Sequence, residues 1–190
     1  MDVDEPTLSH GAIEALARRL DRPVVLVGMM GVGKSSIGRK LAAQLHLPFA
    51  DADEEIEAAA QMTIAEIFES FGEDYFRDGE RRVIGRLLES GPRQVIATGG
   101  GAFATDATRT MILEKGIAVW LDCDIDTLVQ RVSRRDHRPL LRTGDPREIL
   151  ARLQGERAGL YGMAPIHVHS RTGPHSRTVG AILKELEQWR

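Results

Sequence analysis

The fold of this chain is decided by residues 24–36, which read VVLVGMMGVGKSS. The first four residues are apolar and predict a short buried strand, and apolar residues recur at helical spacing after the last glycine, as far as Leu45. The loop between them, from Gly28 to Ser35, matches the phosphate-binding pattern G-x-x-x-x-G-K-[ST]. Because strand, loop and helix all fall where this pattern requires them, a phosphate site is favoured over an ordinary strand-to-helix turn.

Each part of the loop has a chemical role in binding phosphate. Its backbone N–H groups surround the anion, and the helix that follows adds the positive end of its dipole. Gly31 and Gly33 allow a close backbone approach because they carry no Cβ atom. We expect Lys34 to reach the β- and γ-phosphates of a nucleotide and Ser35 to ligate Mg²⁺.

Composition excludes several classes of protein. The 190 residues are 42% hydrophobic and 28% charged, which is enough for one domain with a sizeable core. A net charge of −3 favours neither nucleic acid nor an anionic membrane as a partner. Cys123 is the only cysteine, so no internal disulfide can form, and the acidic N-terminus has no apolar segment typical of a signal peptide. We therefore expect a cytoplasmic protein.

Strands and helices alternate along the chain. Five strands separated by helical patterns predict one α/β domain with a parallel sheet covered on both faces. A short extra helix around Ile13 to Leu20 precedes the first strand. The capping box at residues 63–66 predicts the start of a helix that ends at Gly72. We expect residues 1–22 to form an N-terminal extension and residues 23–190 to form the main domain.

Polar and glycine residues follow two of the predicted strands. Asp51 and Asp53 come at the end of a strand that begins at Phe49, and residues 99–101 are three consecutive glycines after the strand 94–98. Ligands of open α/β sheets bind at this carboxyl edge. The three glycines indicate a backbone that touches something closely, with a flexible turn as the alternative.

Two arginines lie on the apolar faces of predicted helices. Arg77 shares such a face with Glu80, three residues later, on a helix from about 73 to 90. Helical phase leaves two interpretations equal: a structural ion pair, or a glutamate that holds Arg77 for an anionic ligand. Arg157 lies in the apolar stripe of a helix that begins at Asp145. Two inward arginines suggest bidentate recognition of a carboxylate or phosphate.

A basic segment separates the last two of the large helices. Residues 133–144 contain four arginines together with proline and glycine, which favours a lid over phosphates rather than a solvated surface. Asp122 follows the strand 117–121 and resembles a metal-binding aspartate at that position. We expect instead that Asp122, Asp124 or Asp126 caps the next helix.

The motifs taken together resemble the shikimate kinase family, from about Pro23 to the terminal helix. They are GMMGVGKSSIGR at 28–39, DAD at 51–53, FR at 76–77, GGG at 99–101, RPLL at 138–141, and ER followed by LY within 156–161. The resemblance implies a P-loop three-layer α/β/α sandwich similar to nucleoside monophosphate kinases. Its sheet would have five parallel strands in the order 2-3-1-4-5, and its lid would span about 134–145.

The family resemblance also implies roles for the matching positions. Catalysis would depend on Lys34, Asp53 and Arg138. ATP would be bound by Gly31, Val32, Gly33, Lys34, Ser35, Ser36 and Arg138. Shikimate would be bound by Asp53, Arg77, Gly99, Gly100, Gly101 and Arg157. Both arginines would contact its carboxylate. One Mg²⁺ would be held by Ser35, with Asp51 acting through water.

The implied activity is phosphorylation of the 3-hydroxyl of shikimate by ATP, in a protein that is often a monomer. Two alternatives stay open: a kinase for another small hydroxy acid such as gluconate, and a sensor that binds ligand without turnover. The chain departs from the family at Gly159, where proline is usual, and at His169, where aspartate is common. Neither position is among the implied substrate contacts.

Overall fold

The computed structural model describes residues 8–91, 93–133, 144–170 and 173–189. Within these, five parallel strands form one sheet in the order β2-β3-β1-β4-β5. The strands are β1 (Val24–Val27), β2 (Phe49–Asp51), β3 (Val95–Ala97), β4 (Ile117–Asp122) and β5 (Ile166–His169). This confirms the predicted number, direction and order of the strands.

Helices follow the strands and cover the sheet. They are α1 (His10–Arg19), α2 (Lys34–Leu45), α3 (Ala52–Ala60), α4 (Ile64–Glu89), α5 (Asp106–Lys115), α6 (Ile125–Ser133), α7 (Pro146–Tyr161) and α8 (His175–Gln188), with a 3₁₀ turn at Ala102–Ala104. Helix α2 packs against β1 and β3 and contacts α8, whereas α5 packs against β4 and contacts α4. The result is the predicted three-layer α/β/α arrangement. None of the described helices is both long and apolar enough to cross a membrane.

Strand β1 is the centre of the core. It pairs with β3 on one side, Val24 opposite Val95, and with β4 on the other, Val24 opposite Ile117. Its four residues are fully buried. A parallel strand that is covered on both faces is expected to be apolar throughout, which is why it carries no alternation of polar residues. The phosphate-binding loop therefore starts from the most rigid part of the sheet.

Helix α4 bends sharply at Gly72, where φ is 79° and ψ is 179°. The sequence predicted that a helix ends at this glycine and a second helix follows, and the backbone confirms the interruption. The first half begins with the predicted capping box: Glu66 N–H donates to Thr63 Oγ1 at 3.2 Å, and Thr63 N–H donates to the Glu66 carboxylate at 2.7 Å.

The buried apolar residues form two clusters. The larger one surrounds the sheet, and the smaller one contains Ile56, Ile67 and Phe76, from α3 and α4. Val83 packs against both. The smaller cluster supports the two helices that come after β2, at the carboxyl edge of the sheet.

The structure confirms two further predictions, the aspartate cap of α6 and the extra helix α1. Of the three aspartates before and within α6, Asp124 is the cap, since its carboxylate accepts the Thr127 N–H at 2.8 Å. Asp126 instead pairs with Arg147. The predicted extra helix α1 packs against α2 and α8, and the Arg19 guanidinium donates to the carbonyl of Leu186 at 2.9 Å.

Candidate active site

The phosphate-binding loop runs from β1 into the first turn of α2. Gly31 and Gly33 have φ values of 83° and 101°, in the left-handed region that favours glycine. Gly33 is the residue at which α2 begins, so the loop N–H groups and the helix dipole point to the same place. The Lys34 ammonium lies over the loop and donates to the carbonyls of Gly28 at 2.7 Å and Met29 at 2.9 Å.

The outer side of the loop is held by α6. Val32 is fully buried, and its carbonyl accepts a hydrogen bond from Arg131 Nη1 at 2.9 Å. Gly33 lies close to His175, since a Cβ atom on this glycine would be 3.4 Å from His175 Cε1. The first residues of α2 and α8 and the last turn of α6 thus meet around the loop.

Asp51 and Asp53 lie beside the loop at the end of β2. Asp51 caps α3 by accepting the N–H of Asp53 on Oδ1 at 3.0 Å, and it is buried. Asp53 lines the cavity next to the phosphate-binding loop. The cap orients the first turn of α3, so the position of Asp53 depends on Asp51.

The three consecutive glycines make three different contacts with the rest of the site. A Cβ atom on Gly99 would lie 2.8 Å from Glu80 Oε1 and 2.9 Å from Asp53 Oδ1. On Gly100 it would lie 2.9 Å from the backbone nitrogen of Met30, and on Gly101 it would lie 2.5 Å from Arg77 Nη2. The prediction that this backbone touches something closely is confirmed. The contacts are with two carboxylates, the phosphate-binding loop and a guanidinium of the same chain.

Arg77 is held in place by two glutamates of its own helix. Nη1 donates to Glu80 at 2.7 Å, and Nη2 lies 3.3 Å from Glu73. Burial lowers the pKa of Arg77, but the Glu80 and Glu73 carboxylates together more than offset this and the net shift is upward. The guanidinium therefore stays charged against Gly101.

Glu80 is fully buried, and burial raises its pKa although Arg77 opposes the shift. Oε2 binds Arg77, whereas no donor within the described ranges reaches Oε1. This second oxygen lies on the same side of Gly99 as the Asp53 carboxylate, which adds to the rise in pKa. The sequence placed Glu80 on this face but gave no sign of its nearness to Asp53.

Arg157 reaches the same turn from α7. Its Nη1 donates to the carbonyl of Gly100 at 3.0 Å. Arg77 and Arg157 therefore contact consecutive glycines from two different helices, as their inward phase had suggested.

A cavity of about 450 Å³ adjoins the phosphate-binding loop, Asp53 and Gly100, whereas Arg77 and Arg157 are not part of its lining. One side is lined by Lys34, Ser35, Ser36, Asp53 and Gly100. The other side is lined by residues that sequence reasoning missed, namely Thr98, Thr127, Gln130, Arg131 and His175. Burial, followed by the charge of Arg131, lowers the pKa of His175, which favours a neutral ring beside the loop.

One predicted residue, Asp122, lies apart from the cavity, and one predicted segment is not described. The Asp122 carboxylate faces His169 Nδ1 at 3.6 Å and His167 Nε2 at 3.7 Å, and Asp122 is not part of the cavity lining, so it gives no support to a metal role. Arg138 and residues 134–143 of the predicted lid lie outside the described residues, and their roles stay predictions.

The sheet order, the phosphate-binding loop and the adjoining carboxylate and guanidinium groups define a P-loop phosphotransferase of the nucleoside monophosphate kinase fold. The family model for shikimate kinase matches residues 30–187. The chain is 60% identical to a shikimate kinase of Novosphingobium aromaticivorans, over the full length of both chains. This chain belongs to the shikimate kinase family.

Solved structures agree with this assignment. The shikimate kinase of Acinetobacter baumannii in complex with shikimate has a TM-score of 0.85 and 35% identity, covering 95% of this chain and 98% of that one. A gluconokinase from Sinorhizobium meliloti has a TM-score of 0.61 and 19% identity, covering 90% of this chain and 94% of that one. The second likeness concerns the fold alone.

Proposed function

We propose that this protein transfers the γ-phosphoryl group of ATP to the 3-hydroxyl of shikimate, giving ADP and shikimate 3-phosphate for aromatic amino-acid biosynthesis. The observation that carries the proposal is the turn at residues 99–101. Two arginines and the Asp53 carboxylate contact this turn, and its middle glycine touches the phosphate-binding loop. A small polyhydroxy acid needs cations at its carboxylate and an anionic acceptor near its hydroxyls, directly beside the phosphate donor.

On the acceptor side, Arg77 and Arg157 bind the shikimate carboxylate. Asp53 binds the hydroxyls, orients the 3-hydroxyl toward the γ-phosphate and accepts its proton. The backbone at Gly99, Gly100 and Gly101 completes the acceptor site, with the Gly100 N–H donating to shikimate. The absence of side chains on these three residues keeps Asp53 and both arginines close enough to contact one small molecule.

On the nucleotide side, the backbone from Gly31 to Ser36 binds the phosphates of ATP. Lys34 exchanges its two carbonyl partners for phosphate oxygens, because a charged acceptor forms the stronger hydrogen bond. Arg138, on the lid, neutralises charge on the transferring group. The ring of His175 and the side chains of α6 provide the far wall of the cavity.

One Mg²⁺ fits the oxygen groups at the start of α2. The Ser35 hydroxyl lines the cavity. The Asp51 carboxylate, which caps α3 with Oδ1, would act through a metal-bound water with its other oxygen. Hydroxyl, carboxylate and water oxygens are the ligands that Mg²⁺ prefers. When bound, the ion offsets the negative charge of the phosphates.

We also propose that the protein acts as a cytoplasmic monomer that needs neither nucleic acid nor a membrane. A net charge of −3 favours neither nucleic acid nor an anionic membrane as a partner. The mass of the protein in solution, measured by light scattering under turnover conditions, tests whether it acts as a monomer.

The decisive test couples ADP release to a spectroscopic assay with ATP, Mg²⁺ and shikimate, and identifies the product by mass spectrometry. We expect shikimate-dependent ADP release and a shikimate 3-phosphate product. Asp53→Asn should lose most turnover and keep its nucleotide affinity, because the amide cannot accept the hydroxyl proton. Gluconate serves as the competing substrate: turnover with gluconate and none with shikimate would refute the proposal.

A further inference from the structure

Tyr161 has no role in the reaction as described so far, yet it lies one helical turn after Arg157 on α7 and faces the same way. It is 1% exposed, and its hydroxyl donates to the Gly100 carbonyl at 2.5 Å. Arg157 Nη1 donates to the same oxygen at 3.0 Å. The Gly100 carbonyl therefore accepts two hydrogen bonds from one face of α7, which uses both of its lone pairs.

The phenol ring of Tyr161 is fixed by other aromatic rings. It stacks near Phe103, with centroids 6.2 Å apart and planes at 9°, and near Trp120, with centroids 5.9 Å apart and planes at 21°. Burial raises the pKa of Tyr161, so the hydroxyl keeps its proton and acts as a donor. A rigid ring with a protonated hydroxyl gives the bond to Gly100 one geometry.

The Gly100 carbonyl belongs to the peptide that links Gly100 to Gly101. An oxygen fixed in position also fixes the plane of that peptide, since the six atoms of a peptide unit are coplanar. One end of this unit touches Met30 in the phosphate-binding loop, and the other end touches the Arg77 guanidinium. The orientation of one peptide thus determines how the arginine of α4, the arginine of α7 and the phosphate-binding loop stand relative to one another.

We propose that Tyr161 is a positioning residue for the acceptor site, which aligns the Gly100–Gly101 peptide and thereby holds Arg157 beside Arg77. The proposal rests on the function proposed above, because it assigns the two arginines to the carboxylate of the acceptor. Without the hydroxyl, the Gly100 carbonyl keeps only the bond from Arg157. That guanidinium is then free to centre itself on the carbonyl, away from the acceptor.

Tyr161→Phe tests the proposal, since it removes the hydroxyl and keeps the ring that packs against Phe103 and Trp120. The matched control is Tyr75→Phe, because the chain has two tyrosines and Tyr75 is exposed. We expect Tyr161→Phe to raise KM for shikimate about 3- to 10-fold, the worth of one buried hydrogen bond, with KM for ATP unchanged. Equal changes in both constants, or a fall in thermal stability with shikimate KM unchanged, would refute the positioning role.

A double-mutant cycle separates action through Arg157 from a general effect on the core. The slope of rate against shikimate concentration gives kcat/KM for the wild type, Tyr161→Phe, Arg157→Ala and the double variant. If Tyr161 acts through Arg157, its loss should have at most about a 2-fold effect once Arg157 is gone. Full additivity of the two effects would overturn the proposal. A wild type that does not phosphorylate shikimate would instead overturn the proposed function.

A second measurement does not depend on any substitution in the active site. Tyrosine labelled with ¹³C at the hydroxyl-bearing carbon gives two resonances, one for each tyrosine, and Tyr75→Phe identifies them. The Tyr161 resonance should move when shikimate saturates the protein, because its hydrogen-bond acceptor belongs to the acceptor site. A Tyr161 resonance that is insensitive to saturating shikimate would contradict the proposal.

Discussion

Replacement of Gly101 by alanine should weaken acceptor binding while leaving the fold intact. The added Cβ atom would lie 2.5 Å from Arg77 Nη2 and 2.8 Å from both Cζ and Nη1. Ordinary contact requires about 3.5 Å, so the guanidinium must withdraw by about 1 Å. The backbone conformation does not itself require glycine, since φ is −108° and ψ is −9°, outside the left-handed region.

The size of the effect follows from which atoms move. The displaced atoms are the end of a flexible side chain, so the free energy of unfolding should change little. The same atoms, however, are those proposed to bind the acceptor carboxylate, and a misplacement of about 1 Å can cost about 100-fold in rate. We expect kcat/KM for shikimate to fall about 100-fold, equivalent to about 2.7 kcal/mol, with nucleotide affinity unchanged.

Two other glycines provide controls for this substitution. Gly79 lies on α4 with nothing within 4 Å of an added Cβ atom, so Gly79→Ala should retain activity and gain about 0.5–1 kcal/mol of stability. Gly100→Ala, unlike Gly101→Ala, should lower the free energy of unfolding. Its Cβ atom would meet the backbone of Met30 at 2.9 Å, and a backbone cannot withdraw as a side chain can.

The assay is steady-state kinetics in both substrates together with thermal unfolding of each variant. A folded Gly101→Ala protein with wild-type kcat/KM for shikimate would refute the placement of Arg77 in the acceptor site. A crystal structure of the variant with an unmoved guanidinium would refute the steric reasoning.

Three further outcomes are expected from other parts of the chain. The pKa of Glu80 is raised in the folded state, so the free energy of unfolding falls as pH rises from about 4.5 through that raised pKa. Glu80→Gln should abolish this part of the pH dependence in denaturant titrations. An equal dependence of the unfolding free energy on pH in both proteins would contradict it. Burial raises the pKa of Cys123 to about 11, so its thiol should react with a disulfide reagent at pH 8 only after unfolding, and rapid labelling of the native protein would show otherwise. Thr63→Ala should cost about 1 kcal/mol in urea unfolding because it removes the capping box of α4, and an unchanged midpoint would argue that the cap is dispensable.

Much of the fold could be predicted from the sequence because its signals are local. The apolar run of β1, the capping box at Thr63 and the interruption at Gly72 each depend on a few neighbouring residues, and each is present in the structure. The strand order came instead from the family resemblance. Order depends on which strands meet across the chain, and single-strand patterns do not encode it.

The site was predictable only in part. Helical phase indicated that Arg77 and Arg157 point inward, and the run of glycines indicated a close contact. Neither pattern indicated that the arginines and the glycines contact each other. The cavity wall formed by Gln130 and His175 was missed, because polar residues on amphipathic helices look alike until the sheet brings two helices together. The same limit hid the approach of Glu80 to Asp53, which are 27 positions apart in the chain.

The separation of the two hydrophobic clusters makes the molecule unequal in its local stability. Asp53 and Arg77 lie on helices that pack around the smaller cluster, whereas the phosphate-binding loop grows from the larger one. Helix α4 also contributes Ile84, Leu87 and Leu88 to the larger cluster, so only the segment around Ile56, Ile67 and Phe76 depends on the smaller one. We expect this small cluster to open locally at a lower free energy than the core of the sheet. If Asp53 binds the acceptor as proposed, such opening would admit substrate and release product while the phosphate-binding loop keeps its shape.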